Sequence, residues 1–134
     1  MKRFAGPRSG KKAGMDFHGG LEEHLAALRA RDIERFAATL SRDPAARVVA
    51  PDGSANVGYE AVREAHRGWF AGEVAWTFEP TVIFERTSGD LGFALLEISY
   101  AEPGLRKRFL LSLVFTREDG TWRLFYDQNT PLTA

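Results

Sequence analysis

Three ionisable side chains of this 134-residue sequence stand next to apolar neighbours: His66, Glu97 and Asp127. Burial raises a carboxyl's pKa toward neutral pH, where it can take a proton from carbon and give it back. An imidazole beside such a carboxyl would complete a proton-transfer pair. Each residue also has a plainer reading. Glu97 lies between Leu96 and Ile98, where an ionised carboxylate is costly unless it pairs across strands, and Arg106 or Arg108 could supply the cation. His66 could be a core residue satisfied by one hydrogen bond, and Asp127 an exposed carboxylate near a strand end. Around these three the sequence places Trp69, Trp76, Tyr100, Phe109, Tyr126 and Gln128. Aromatic walls with a few polar groups would suit a flat or cyclic apolar ligand.

Positioning those residues falls mainly to the second half of the chain. Residues 73–86, 91–101, 105–117 and 121–128 read as four consecutive strands. They are separated by Thr87-Ser88-Gly89-Asp90, Glu102-Pro103-Gly104 and Glu118-Asp119-Gly120, all hairpin signals. In the first strand, alternation puts Val74, Trp76, Phe78, Val82 and Phe84 on one face. The middle strands are apolar on both faces, so both faces must be covered. In the last, strict alternation groups Trp122, Leu124, Tyr126 and Gln128 against Arg123, Phe125, Asp127 and Asn129. Burying Arg123 without a partner is expensive, so Tyr126 and Gln128 are expected inside and Asp127 outside. A bulge would reverse that order, which keeps Asp127 a candidate.

Before the strands, Leu21, Leu25 and Leu28 make a helical stripe over residues 21–31. Asp32 is placed to cap a second helix whose buried face is Ile33, Phe36, Ala37 and Leu40. Two short strands flank Pro51-Asp52-Gly53. A third helix, Tyr59–Ala71, gathers Val62, His66, Trp69 and Phe70 on one side. The helices and the small hairpin are expected to cover one face of the sheet, leaving the other for a second copy of the chain. Residues 1–18 form a basic leader of Gly, Pro, Ser, Lys and Arg that cannot nucleate a core and is expected to be disordered. The folded domain is expected over residues 19–134.

Composition narrows the function classes. Lysine plus arginine and aspartate plus glutamate number 18 each, so no net field favours nucleic acid or an anionic membrane. No apolar run approaches the roughly 18–20 residues of a membrane span. The sequence has no cysteine, which excludes disulfides, a thiol nucleophile and thiolate metal sites, and fits the cytoplasm. His18, His24 and His66 lack metal-ligand spacing. No phosphate loop or nucleophile elbow is present. Neither a metal nor a cofactor is expected.

Three local patterns, in order, carry a resemblance. Arg31-Asp32 opens a helix after a Leu-rich one. Pro51-Asp52-Gly53 precedes Gly58-Tyr59-Glu60-Ala61-Val62-Arg63, and Asp119-Gly120-Thr121-Trp122-Arg123-Leu124 forms the last strand. With the order of elements, they resemble the nuclear transport factor 2-like superfamily, in its SnoaL-like and ketosteroid isomerase-like branch, over about residues 21–131. The resemblance implies an α+β fold: a cone-shaped, curved antiparallel sheet wrapped around three N-terminal helices, a cystatin-like α+β barrel with a pocket at one end. It further implies a homodimer through the outer sheet face. Ketosteroid isomerases use an Asp base in a strand just before a proline, with a Tyr and a protonated Asp as oxyanion donors. Here Ala50 precedes Pro51 and the first helix has no tyrosine, so that isomerisation is not expected. Two readings remain from the resemblance. One is a pocket protein for an apolar aromatic or polycyclic metabolite, acting as a cofactor-independent isomerase, cyclase or lyase by acid–base chemistry. The other is a non-catalytic ligand-binding or dimerisation module of the same fold.

Overall fold

The computed structural model describes residues 15–132. Helix α1 (Phe17–Ala30) is capped by the Asp16 carboxylate, which accepts from Gly19 N, and ends at Arg31 in the left-handed conformation. It starts four residues before the expected Leu21, so Phe17 and His18 belong to the helix rather than to a leader. The rest of the expected basic leader, residues 1–14, lies outside the described residues. Asp32 caps α2 (Ile33–Ala37) as expected, accepting from Arg35 N at 3.1 Å. That helix is only five residues long. Its chain then turns into an extended segment, where Leu124 N donates to Thr39 O and Ser41 N to Leu124 O. Strands β1 (Arg47–Val49) and β2 (Ala55–Val57) form a small hairpin, and α3 (Tyr59–Ala71) follows.

Four long strands complete the chain: β3 (Thr77–Ser88), β4 (Leu91–Glu102), β5 (Leu105–Glu118) and β6 (Thr121–Pro131). They form the antiparallel meander expected, with β3 starting at Thr77 rather than at residue 73. The β5–β6 turn has positive φ at Asp119 and Gly120, the geometry for which an Asp-Gly pair suits a tight hairpin. The hairpin β1–β2 does not cover the sheet; it joins it. The order is β2-β1-β6-β5-β4-β3, with β1 running parallel to β6, so the sheet has six strands. This curved sheet with helices on its hollow face is the α+β cone expected from the sequence.

The hollow face carries Ala94, Leu96 and Ile98 of β4 and Leu111, Leu113 and Phe115 of β5, all buried against Leu21, Leu25, Leu28 and Phe36. Helix α1 approaches the sheet closely at two glycines. A Cβ at Gly20 would come within 2.7 Å of Trp122 Cβ, and one at Gly92 would overlap the Phe17 ring. Each register shift adds one residue to a strand and bends it. One leaves Ile83 unpaired, between Val82 opposite Leu96 and Phe84 opposite Leu95. The second leaves Phe125 unpaired, between Leu124 opposite Phe115 and Tyr126 opposite Val114. The first bulge corrects the expected face of β3: Phe84 lies on the outer surface, its ring 5.9 Å from that of Phe93.

Candidate functional site

The bulge at Phe125 decides what the open end of the cone contains. Up to Leu124 the inward residues of β6 follow the expected order, Trp122 then Leu124. Beyond the extra residue the parity is inverted. Asp127 pairs with Leu113 and Val48, both buried, and is itself buried; Asn129 pairs with Leu111 on the same face. Tyr126 and Gln128 are turned to the outer surface, where they hydrogen-bond to each other. This corrects both expectations. Tyr126 and Gln128 do not face the pocket, and Asp127 does.

A cavity of about 350 Å³ opens at this end of the hollow face. Asp127 and Asn129 of β6, His66 and Trp69 of α3, and Tyr100 and Phe109 of the β4–β5 hairpin line it. Leu28, Val48, Phe78 and Leu111 add apolar wall, and Glu102, Lys107 and Pro51 stand in the same lining. Four of the residues singled out as ligand-binding or catalytic candidates therefore meet Asp127 here: His66, Trp69, Tyr100 and Phe109. Trp76 does not line the cavity. It is buried behind it, stacked on Trp69 with ring centroids 4.3 Å apart, and the Arg31 guanidinium carbon lies 4.0 Å from the centroid of the Trp76 ring. Glu97 is also outside. On the outer surface it accepts from Arg108 Nε at 2.6 Å, which holds its carboxyl below the ordinary range. The cross-strand pair is the reading that the geometry supports.

Among the described residues no cation pairs with Asp127, and burial pushes its carboxyl up from 3.8 to about 7. Asn129 Nδ2 donates to Asp127 Oδ1 at 3.2 Å and to Val49 O at 2.9 Å. Both amide hydrogens are thus used, and the carboxyl is fixed by one oxygen. His66 Nδ1 lies 2.8 Å from Val62 O. A carbonyl only accepts, so Nδ1 carries the proton and Nε2 of the neutral ring holds the lone pair. Burial lowers the pKa of His66, which keeps it neutral. Asp127 and His66 share the cavity but are not hydrogen-bonded to each other. Tyr100 donates its hydroxyl proton to Glu102 Oε2 at 2.7 Å, and burial raises its pKa.

His24, by contrast, is structural. Thr39 Oγ1 donates to Phe36 O at 2.6 Å and accepts from His24 Nδ1 at 2.7 Å, deep in the core. Burial drives its pKa down to about 3. Among the described residues no group of His, Cys, Asp or Glu could hold a metal ion, and no helix is long and apolar enough to cross a membrane.

Asn129, Glu102 and Lys107 were not anticipated. Asn129 could have been found as the residue two places beyond Asp127 on one face. Lys107 and Glu102 could have been found by counting alternation outward from the Pro103-Gly104 turn, which sets Lys107 opposite Tyr100.

Residues 21–130 match the family model described as a SnoaL-like domain. No curated protein matches the chain significantly. Among solved structures, a Thiobacillus denitrificans protein is provisionally described as a calcium/calmodulin-dependent protein kinase type II association domain. It is 19% identical with a TM-score of 0.78, over 92% of this chain and 100% of that one. A provisional dehydratase of the NTF2-like family from Streptomyces avermitilis is 14% identical, with a TM-score of 0.74 over 88% of this chain and 94% of the other. A ketosteroid isomerase-like protein from Erwinia carotovora atroseptica is 16% identical, with a TM-score of 0.72 over 87% and 94%. At these identities the likeness is one of fold.

Proposed function

The chain belongs to the SnoaL-like domain family, and from that premise we propose that it binds an apolar aromatic or polycyclic metabolite and moves a proton on it. The reaction class is a cofactor-independent isomerisation or cyclisation. One observation carries this reading: a buried carboxyl, Asp127, lines an open, mostly apolar cavity with its pKa pushed up to about 7. A base poised there is half-ionised at the pH where it works, so it can remove an acidic C–H and return the proton from the same oxygen. The solved neighbours provisionally described as a dehydratase and as ketosteroid isomerase-like lend the reading support, since both names imply chemistry beside a carbonyl or hydroxyl. Within the cavity His66 Nε2 serves as acceptor for a substrate hydroxyl. Trp69, Tyr100 and Phe109 supply the flat apolar walls. The active species is a homodimer joined through the outer sheet face.

β-Tetralone, a bicyclic aromatic ketone with acidic α-hydrogens, provides the test. In deuterated water the protein is expected to accelerate exchange at the α-carbon, followed by proton NMR. Asp127→Asn should lose about 10²–10⁴-fold of that acceleration, the range for a positioned general base. Binding of β-tetralone with no acceleration in either protein would overturn the catalytic reading and leave a binding module.

A further inference from the structure

Next to the cavity runs a groove of about 600 Å³, and the two share Pro51, Lys107 and Phe109 in their walls. Arg106 and Arg108 also border the groove, and among the described residues no Asp or Glu does. The basic run has a structural origin. Strand β5 continues beyond the end of β6, whose last pairing sets Pro131 opposite Phe109. Leu132 N then donates to Arg108 O, and among the described residues none pairs with residues 105–107 on that side. The groove borders this end of β5 and adjoins the cavity through the three shared residues.

The three cations differ in what they already hold. Arg108 is paired with Glu97. Neither Arg106 nor Lys107 takes part in an ion pair among the described residues. Lys107 lies opposite Tyr100, whose side chain is in the cavity wall, so Lys107 belongs to both spaces. Glu102 lines the cavity but not the groove, and its carboxylate is occupied by the Tyr100 hydroxyl. A cation at the rim of a low-dielectric cleft focuses its field toward the opening. The fold does not need these charges there: all three side chains are exposed and none packs in the core.

We propose that the ligand of this site carries an anionic group, a carboxylate or a phosphate, which Lys107 and Arg106 hold at the mouth while its apolar ring lies against Phe109 inside. The inference rests on the pocket reading above and adds the substrate class. It makes Lys107 and Arg106 the residues that set specificity, and it fixes the direction of entry, ring first and charge outward.

Three naphthalene probes of one ring size test it with the full chain: β-naphthoate, β-naphthyl phosphate and methyl β-naphthoate. Titration calorimetry at low and high salt measures each. At least one anion is expected to bind roughly tenfold tighter than the neutral ester at low salt, an advantage that shrinks as salt screens it. In Lys107→Gln with Arg106→Gln, the anion should bind no more tightly than the ester binds to that same variant, at low salt as at high. Whichever anion gains more identifies the head group. Equal binding of acids and ester, or anion binding indifferent to the double substitution, overturns the anion site and leaves the pocket standing. Failure of all three probes, the ester included, removes pocket and anion site together.

Discussion

Asp127 has no compensating charge among the described residues, and its buried carboxyl makes one large contribution to how stability responds to pH. Its folded pKa lies above the ordinary carboxyl value, at about 7 against 3.8. The native state therefore holds a proton that the unfolded chain has already released between those two values. The sign follows from proton linkage. The contribution of Asp127 to stability is complete below about pH 4 and is lost as pH rises to about 7, with roughly 4 kcal/mol as the ceiling. Over the same range His24 and His66, both held neutral by burial, contribute with the opposite sign, so Asp127→Asn should make stability rise more steeply with pH, as read by urea midpoints across that range. Carbon-detected NMR should place the Asp127 carboxyl midpoint near 7; a midpoint in the ordinary carboxylate range would show that water reaches the group. At this scale the sequence was half legible. His66, Trp69, Tyr100 and Phe109 could be nominated from type and neighbours. Asp127 could be nominated but not oriented, because Leu124-Phe125-Tyr126 is apolar on either parity and nothing in it marks the extra residue.

The two bulges and two close-approach glycines shape the elements that hold the site. Gly92 is buried under the Phe17 ring, and a methyl there would have to displace α1 from the sheet. Gly92→Ala is expected to cost about 1–3 kcal/mol, the range for overpacking a well-filled core. Gly68 is the counterpart. It lies inside α3 with nothing within 4 Å of a built Cβ and no positive φ. Gly68→Ala should stabilise by up to about 1 kcal/mol, from helix propensity and unfolded-state entropy. Chemical denaturation of both variants against the parent checks the opposite signs. If Gly92→Ala were neutral, α1 would not sit where the contact of its Phe17 ring with Gly92 puts it. Turns, caps and helix faces were readable because each depends on a few residues with a local reason: Asp32 capping α2, Asp119-Gly120 turning β5 into β6. The bulges were not, since Ile83 and Phe125 are good strand residues that would pair as readily as their neighbours. The hairpin β1–β2 was seen but misassigned. Its partner, β6, lies about eighty residues further along, and three-residue strands carry no sign of what they pair with.

For the molecule as a whole, the unanswered face is the outer one. Phe93, Leu95, Leu110 and Val114 stand half-exposed there, with Phe84 and Leu91 exposed beside them. The two-sided apolar strands were the feature of the sequence that pointed to this surface, and none of the described helices covers it. A net charge of zero offers no long-range repulsion to keep two such faces apart. The Glu97–Arg108 and Tyr126–Gln128 pairs on the face are already satisfied, so burying these four groups under a second copy orphans none of them. These are the conditions for a self-complementary two-fold interface. The chain is accordingly expected to sediment as a dimer at micromolar concentration. Leu95→Lys together with Val114→Lys should give a monomer, since each dimer would bury four unpaired ammonium groups. Because the cavity lies on the opposite face, the monomeric variant should still bind methyl β-naphthoate. A parent protein that is monomeric across that range would mean that the outer face is simply tolerated in water, and an intact dimer in the double variant would move the interface elsewhere.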